Sequence, residues 1–161
     1  MEQSNKKKIT PFLWFDNNAE EAINFYTSIF KNSKIGNMTR WSEGGPGPAG
    51  SVLTASFTLD GQEFTALNGG PQFKFNESVS FVVDCEGQDE VDYYWNKLTQ
   101  GGEESQCGWL KDKYGLSWQI VPGILIKLLQ DKDKVKAGKV MQAMLQMRKI
   151  DIAKLKAAYE S

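Results

Sequence analysis

"SVSFVVDCEGQDEVDYYWNKLTQGG" (residues 78–102) decides the reading of this chain, because an earlier stretch follows the same plan. Residues 78–85 are β-branched and aromatic and read as a strand. Val91, Tyr94, Trp95 and Leu98 then recur at helical spacing, and Gly101-Gly102 ends the helix. "ITPFLWFDNNAEEAINFYTSIFK" (9–31) begins with a strand over 9–15. Its helix sets Ala22, Phe25, Tyr26, Ile29 and Phe30 on one face. Asn17 or Asn18 can cap that helix, with Glu20 and Glu21 in the first turn where the helix dipole favours them. An offset of 69 residues lays Phe81 on Phe12, Val91 on Ala22, Tyr94 on Phe25, Trp95 on Tyr26 and Leu98 on Ile29.

The repeat extends past both helices. "MTRW" (38–41) is a weaker strand, and "SEGGPGPAG" (42–50) is a loop by composition. "SVLTASFTL" and "EFTALN" flank Asp60-Gly61, a strong hairpin signal. "CGWLKDKYGLSWQIVP" (107–122) gives two strands around Tyr114-Gly115, stopped by Pro122. The chain therefore reads as two tandem strand–helix–strand–strand–strand modules, over about 9–70 and 78–122. They make up a paired region, 1–122, and a helical tail follows over 123–161. In the tail, Asp131 or Asp133 can start one helix, and Val140, Met141, Met144 and Leu145 form its apolar stripe. Asp151 can cap another, with Ile150 and Leu155 in hydrophobic-staple positions. The tail has no module of its own to cover, so it packs on the domain or on a partner chain. Met141, Met144 and Met147 fit either a pliable partner surface or packing within the chain.

The chain has 161 residues, room for one domain with a substantial core. A net charge of -1 gives no reason to expect nucleic acid as a partner. No apolar run approaches the ~20 residues of a membrane span. "MEQSNKKKIT" lacks the apolar segment of a signal peptide and reads as a solvated start. Two cysteines, Cys85 and Cys107, are too few for a disulfide framework, and a cytoplasmic protein is expected. There is no histidine, so the commonest metal ligand and the commonest general base are both missing.

"FLWFDNNAEEAINFYTSIF", "ALNGGP", "SFVVDC", "CGWLKDKYGLSWQIVP" and "VMQAMLQMRKIDIAKLKAAY", in that order and spacing, resemble the PhnB-like branch of the glyoxalase/bleomycin-resistance, or vicinal oxygen chelate, superfamily. The resemblance covers nearly the whole chain. It implies an α+β fold of two tandem βαβββ modules whose sheets curl around a cleft, with helices outside. The branch often carries the description "3-demethylubiquinone-9 3-methyltransferase". Metal-using members of the superfamily place His or Glu on the first and last strand of each module. The matching positions here are near Ile9, Thr65, Ser78 and Gln119. An aliphatic side chain cannot ligate, and neutral oxygens are poor partners for Zn, Ni or Fe. No metal and no cofactor is expected.

Strand parity sorts the faces. If Gln119 faces the cleft, so do Ser117 and Val121; Ser78, Ser80, Val82 and Asp84; and Glu63, Thr65 and Leu67. Leu116, Trp118, Ile120, Val79, Phe81, Val83, Phe64 and Ala66 then form the buried side. A mixed face suits a ligand pocket, or a merely solvated sheet. The ligand-binding candidates are Thr65, Ser78, Ser80, Trp109 and Gln119, and no catalytic residue is singled out. Trp109 suits either stacking on a ligand or rim packing.

Other motifs carry less. "EGGPGPAG" and "NGGP" lack the Lys-Ser/Thr pair and the strand–helix setting of a phosphate loop, and read as turns. Residues 42–50 form either a flap with Trp41 at its base or a plain connection. Neither cysteine has a histidine to activate it, which favours incidental thiols. Asp84, Glu63 and Asp112 suit a carboxylate site less well than simple hydration. The expected function is a non-metal binding or sequestering protein for an unidentified small organic molecule, acting as a homodimer, with no nucleic acid or membrane partner. The alternative is an enzyme, either a metal-dependent lyase or dioxygenase-like activity or the methyltransferase of the family description.

Overall fold

In the computed structural model the described residues are 7–161, so the first six residues of the expected solvated start lie outside them. The chain divides into two units, one ending at Lys74 and the other beginning at Phe75.

The first unit runs β1 (Phe12–Phe15), α1 (Ala19–Ile29), β2 (Lys34–Arg40), β3 (Val52–Leu59) and β4 (Gln62–Asn68). Its sheet has the order β1-β4-β3-β2, with β1 parallel to β4 and the other pairs antiparallel. Leu13, Phe15, Ala55, Phe57, Leu59, Phe64 and Ala66 alternate onto the buried face. Helix α1 brings Ala19, Ala22, Ile23, Tyr26 and Ile29 to its own buried side, and the Tyr26 and Phe57 rings stack at 6.4 Å. Phe25 is only half-buried and Ile23, unread in the sequence, takes its share of the core. The hairpin at Asp60-Gly61 forms as expected. Its two residues have φ of 46° and 77°, the left-handed pair that a two-residue hairpin turn requires, and glycine reaches its value without a Cβ penalty.

Two expectations shift here. β1 starts at Phe12 rather than Ile9, which is 86% exposed. Asn18 occupies the N-cap of α1, but its side chain makes no capping bond. Asn68 does that work from the end of β4. Its Oδ1 accepts the Ala19 N–H at 2.9 Å while its amide donates to the Val52 carbonyl at 3.1 Å.

The second unit runs β5 (Ser80–Cys85), α2 (Gln88–Leu98), β6 (Glu103–Glu104), β7 (Trp109–Lys111), β8 (Ser117–Pro122), α3 (Gly123–Leu129), α4 (Lys134–Leu145) and α5 (Ile152–Glu160). Its sheet repeats the first, in the order β5-β8-β7-β6 with β5 parallel to β8. β6, only two residues long, has no hydrophobic pattern to announce it. β5 starts two residues later than expected, because Asn76 Oδ1 takes both the backbone N–H (2.9 Å) and the hydroxyl (2.5 Å) of Ser78 and holds it in a turn. Val79, assigned to the buried side, is therefore outside the ladder and 62% exposed.

The tail helices fold onto this second sheet. Leu125, Val140, Met147, Ile150 and Leu155 make a core of their own, joined by Val121, Leu128 and Met144. Asp133 caps α4 by accepting from Val135 and Lys136 N–H, and Asp151 caps α5 by accepting from Lys154 N–H. Ile150 and Leu155 are both fully buried, as a hydrophobic staple requires. The buried line of α4 is Ala137 and Val140, with Met144 partly buried beside them. Met141 and Leu145 stand one residue further round the helix, and are 39% and 47% exposed. Gln88 ties the tail down: its Oε1 accepts the Ile152 N–H at 2.8 Å and its Nε2 donates to the Ile150 carbonyl at 3.0 Å. Among the described residues no helix is long and apolar enough to cross a membrane.

Candidate functional site

The site starts with the alternation of β8. Leu116, Trp118 and Ile120 are buried on one side, as parity requires, and Ser117 and Gln119 point the other way. Asp112 fixes this register. It is buried, and its carboxylate accepts the Tyr114 N–H (2.8 Å), the Leu116 N–H (3.1 Å) and the Trp118 indole N–H (2.9 Å). The expectation of a hydrated Asp112 is therefore corrected. A turn carboxylate next to backbone N–H groups and an indole is dehydrated because those donors replace water.

On the polar face, Gln119 Nε2 donates to Ser80 Oγ at 2.9 Å. Two of the candidate residues are thus joined, and Trp109 is the register partner of Gln119 across β7. All three are half-buried. The register sets Ser80, Ser117 and Lys111 in one row and Val82, Gln119 and Trp109 in the next. Ser78, the fourth candidate in this unit, lies before the strand with its hydroxyl held by Asn76, so it does not join the row. Val121, assigned to the same face, packs against the tail core instead, because α3 begins directly after β8. The Lys111 ammonium pairs with the Glu77 carboxylate. That hydrogen bond holds Glu77 below the usual carboxylate range and pushes Lys111 up.

In the first unit, Thr65 sits on the half-buried face of β4 between Phe12 and Ser56. Phe12 is 59% exposed there. Ser56 Oγ accepts the Asn37 N–H at 2.9 Å, at the bulge of β2. Glu63 and Leu67 share this face, so its mixed character follows the parity.

The metal positions do not fit a metal. Ile9 is aliphatic and off the strand, and the register partner of Thr65 is Phe12. Ser78 is held by Asn76, and Gln119 pairs in register with Val82 while its amide bonds Ser80. Among the described residues, no three of His, Cys, Asp and Glu come together as a metal would need. Cys85 is buried beneath the Val83 carbonyl, and burial pushes its thiol up to about 12. At neutral pH it is protonated and a poor nucleophile.

Cavities also lie elsewhere. One of about 350 Å³ in the first unit is bounded by Asp16, Trp41, Pro46, Asn68 and Gly70. The 42–50 loop is folded over Trp41: a Cβ on Gly47 would sit 2.3 Å from the indole, so the backbone approaches as only glycine allows. Trp41 also exchanges backbone bonds with Gly50 and Ser51 across the base of the loop. A larger groove of about 880 Å³ in the second unit runs between the ends of β5 and the starts of α2, α3 and α5, with Lys127 and Lys156 on its rim.

A sequence model of the family described as 3-demethylubiquinone-9 3-methyltransferase matches residues 7–121. The chain belongs to that family. It is similar to a PhnB protein from Bacillus cereus, 43% identical, over 73% of this chain and 100% of the other, with a TM-score of 0.68. PA1353 from Pseudomonas aeruginosa matches at 19% identity over 73% of this chain and 98% of its own, with a TM-score of 0.60. The fosfomycin resistance protein FosX from Listeria monocytogenes, complexed with Mn(II) and sulfate, matches at 14% identity over 78% and 96%, with a TM-score of 0.54. These last two show the fold alone, and with the tandem modules they make it the vicinal oxygen chelate fold. No match was found among curated proteins.

Within this PhnB-like frame, sequence reasoning missed two features. Asp112 had a signal, an acidic residue at the head of "DKYG" with backbone donors two and four residues on. Ser117 had only its parity; its buried hydroxyl depends on the neighbours across two strands.

Proposed function

We propose that this chain binds or sequesters a small organic molecule without a metal, and that the ligand rests on the polar face of the second sheet. The observation that carries this reading is the Gln119–Ser80 hydrogen bond at 2.9 Å beside Trp109. It sets a neutral, orienting amide and an aromatic ring on a sheet face whose reverse side is fully committed to the core. Thr65 offers a hydroxyl on the corresponding face of the first sheet. FosX was solved with Mn(II), whereas the positions that the superfamily resemblance assigns to metal ligands carry no charged or imidazole group in this chain. The same proposal makes the protein a cytoplasmic homodimer. Support comes from two free thiols and from the exposed Met141 and Leu145 on α4.

A thermal-shift screen on chelator-treated protein tests the reading. A bound ligand at a hundredfold excess over Kd adds about 2.7 kcal/mol of stability, and the shift is expected to be unchanged by added Zn or Mn and lost in Gln119→Ala. Hits that appear only after metal is added, or stoichiometric Zn, Ni or Fe in protein purified without chelator, would contradict it. The family description favours a second reading, a methyltransferase. That enzyme must hold a methyl donor in line with its acceptor. Calorimetry with S-adenosylmethionine separates the two: no saturable heat supports the first, one micromolar site per chain the second.

A further inference from the structure

The Gln119–Ser80 bond uses only part of what the glutamine can offer. A carboxamide carries two N–H donors and a carbonyl acceptor. Gln119 Nε2 gives one N–H to Ser80 Oγ at 2.9 Å. Among the described residues nothing else bonds the Gln119 side chain, so its carbonyl and its second N–H stay open. The carbonyl is not sealed inside the fold: Gln119 is half-buried, and the buried side-chain atom without a partner is the Ser117 hydroxyl alone among the described residues. Turning the amide over changes little. Ser80 would then donate to Oε1, and the open groups would be the N–H pair and the second carbonyl lone pair. In either sense Ser80 holds the amide and leaves a donor and an acceptor for a guest.

The surroundings of the amide choose the guest. Its row across the sheet is Val82, Gln119 and Trp109, with no charged side chain in it. Val82 is 59% exposed, an aliphatic patch beside the amide. In the row before, Lys111 is neutralised by Glu77. In the row beyond, Asp84 lines the groove toward the tail, and Val121 beside it is covered by the tail core. An ion settling on Gln119 would give up water for neutral dipoles with no counter-charge, which is unfavourable. A guest that only donates or only accepts would leave the other half of the carboxamide unpaired. A neutral amide matches both halves. A flat apolar body attached to it covers Val82 and lies against Trp109.

We propose that the ligand is an uncharged, flat molecule with an amide-type edge, a carbonyl beside an N–H, and that this edge pairs with the Gln119 carboxamide. Gln119 Oε1 accepts the ligand's N–H, the second Gln119 N–H donates to its carbonyl, and Trp109 flanks its ring. Ser80 is a positioning residue that fixes the plane of the amide. The proposal rests on the reading of this sheet face as the ligand face, and narrows the ligand to one chemical class.

The test is a proton–nitrogen NMR titration of the full chain with benzamide, sodium benzoate and benzamidine hydrochloride at equal ionic strength. These three share one planar shape and differ in charge. Benzamide is expected to shift the Gln119 side-chain amide and Trp109 indole signals to saturation, and the two ions to bind about tenfold more weakly or not at all. Gln119→Ala is expected to bind benzamide about tenfold more weakly, the size of one net hydrogen bond. Gln119→Glu, the same shape with a charge, is expected to reverse the order, with benzamidine ahead of benzamide in the Trp109 shift. Benzoate or benzamidine binding the native chain as tightly as benzamide, no saturation by benzamide, or an unchanged order in Gln119→Glu would each overturn the proposal. A charged screening hit that moves the Gln119 signals while benzamide fails would sink the amide class alone. If neither benzamide nor any hit moves them, the ligand face falls with it.

Discussion

The two modules share one topology and reach it by different local means. In the first, the last hairpin closes on Asp60-Gly61, two residues in the left-handed region whose N–H groups reach back to Ser33 Oγ (3.4 Å) and the Asn32 carbonyl (3.3 Å). In the second, β7 and β8 are joined by a longer turn whose buried Asp112 takes two backbone N–H groups and an indole. The helices differ in the same way. α1 is capped from its own sheet by Asn68, whereas α2 offers Gln88 to the tail. The turn of the first module is set by backbone conformation. The second is closed by buried polar side chains, and its open face carries the Gln119–Ser80 bond. Asp112 bonds β8 from behind the face on which Gln119 bonds Ser80.

Variants on the two sides of this comparison should separate cleanly. Trp118→Ala should have the largest effect, about 3–5 kcal/mol in denaturant unfolding, as large aromatic core truncations do. It also leaves Asp112 short of a donor. Asp112→Ala should follow at roughly 3 kcal/mol, because it strands buried donors. Asp60→Ala at the matching turn should cost only about 1 kcal/mol, the penalty of a left-handed alanine. Equal losses at the two turns would erase the distinction between the modules. Gln88→Ala should cost about 1–2 kcal/mol, and amide exchange should speed up over 150–160 first. Asn68→Ala should cost about 1 kcal/mol, the worth of a lost cap, with faster exchange confined to the start of α1. Cys85 should resist alkylation at pH 8 in the folded chain and react on unfolding. Its thiol stays protonated until the pH approaches 12, so labelling of native protein should rise only toward strongly alkaline pH.

What was legible in the sequence was local or periodic. The tandem modules, the Asp60-Gly61 turn, the Asp133 and Asp151 caps and the Ile150–Leu155 staple all depend on residues a few positions apart. The Leu116, Trp118, Ile120 alternation was legible for the same reason. Much of what was not legible needed a partner from far along the chain. Asn68 caps a helix 49 residues away, and the Gln88 bonds span 62 and 64. Of the candidate site, parity placed Gln119, Ser80 and Thr65 on the mixed faces. It overran at Ser78, where a side-chain turn ended the strand, and at Val121, where the tail covers the face. It was silent on Ser117, because alternation gives the side a residue points to and not whether anything waits there to bond it.

The account rests most heavily on Gln119 serving the ligand and not the fold. The direct test sets Gln119→Ala beside Trp118→Ala in denaturant unfolding and repeats the melts with a screening hit. The account predicts that Gln119→Ala loses under about 1 kcal/mol, since its one bond is half-exposed, and that the hit no longer stabilises it. A Gln119→Ala chain that unfolds as readily as Trp118→Ala, or that keeps the full ligand-induced shift, would contradict it.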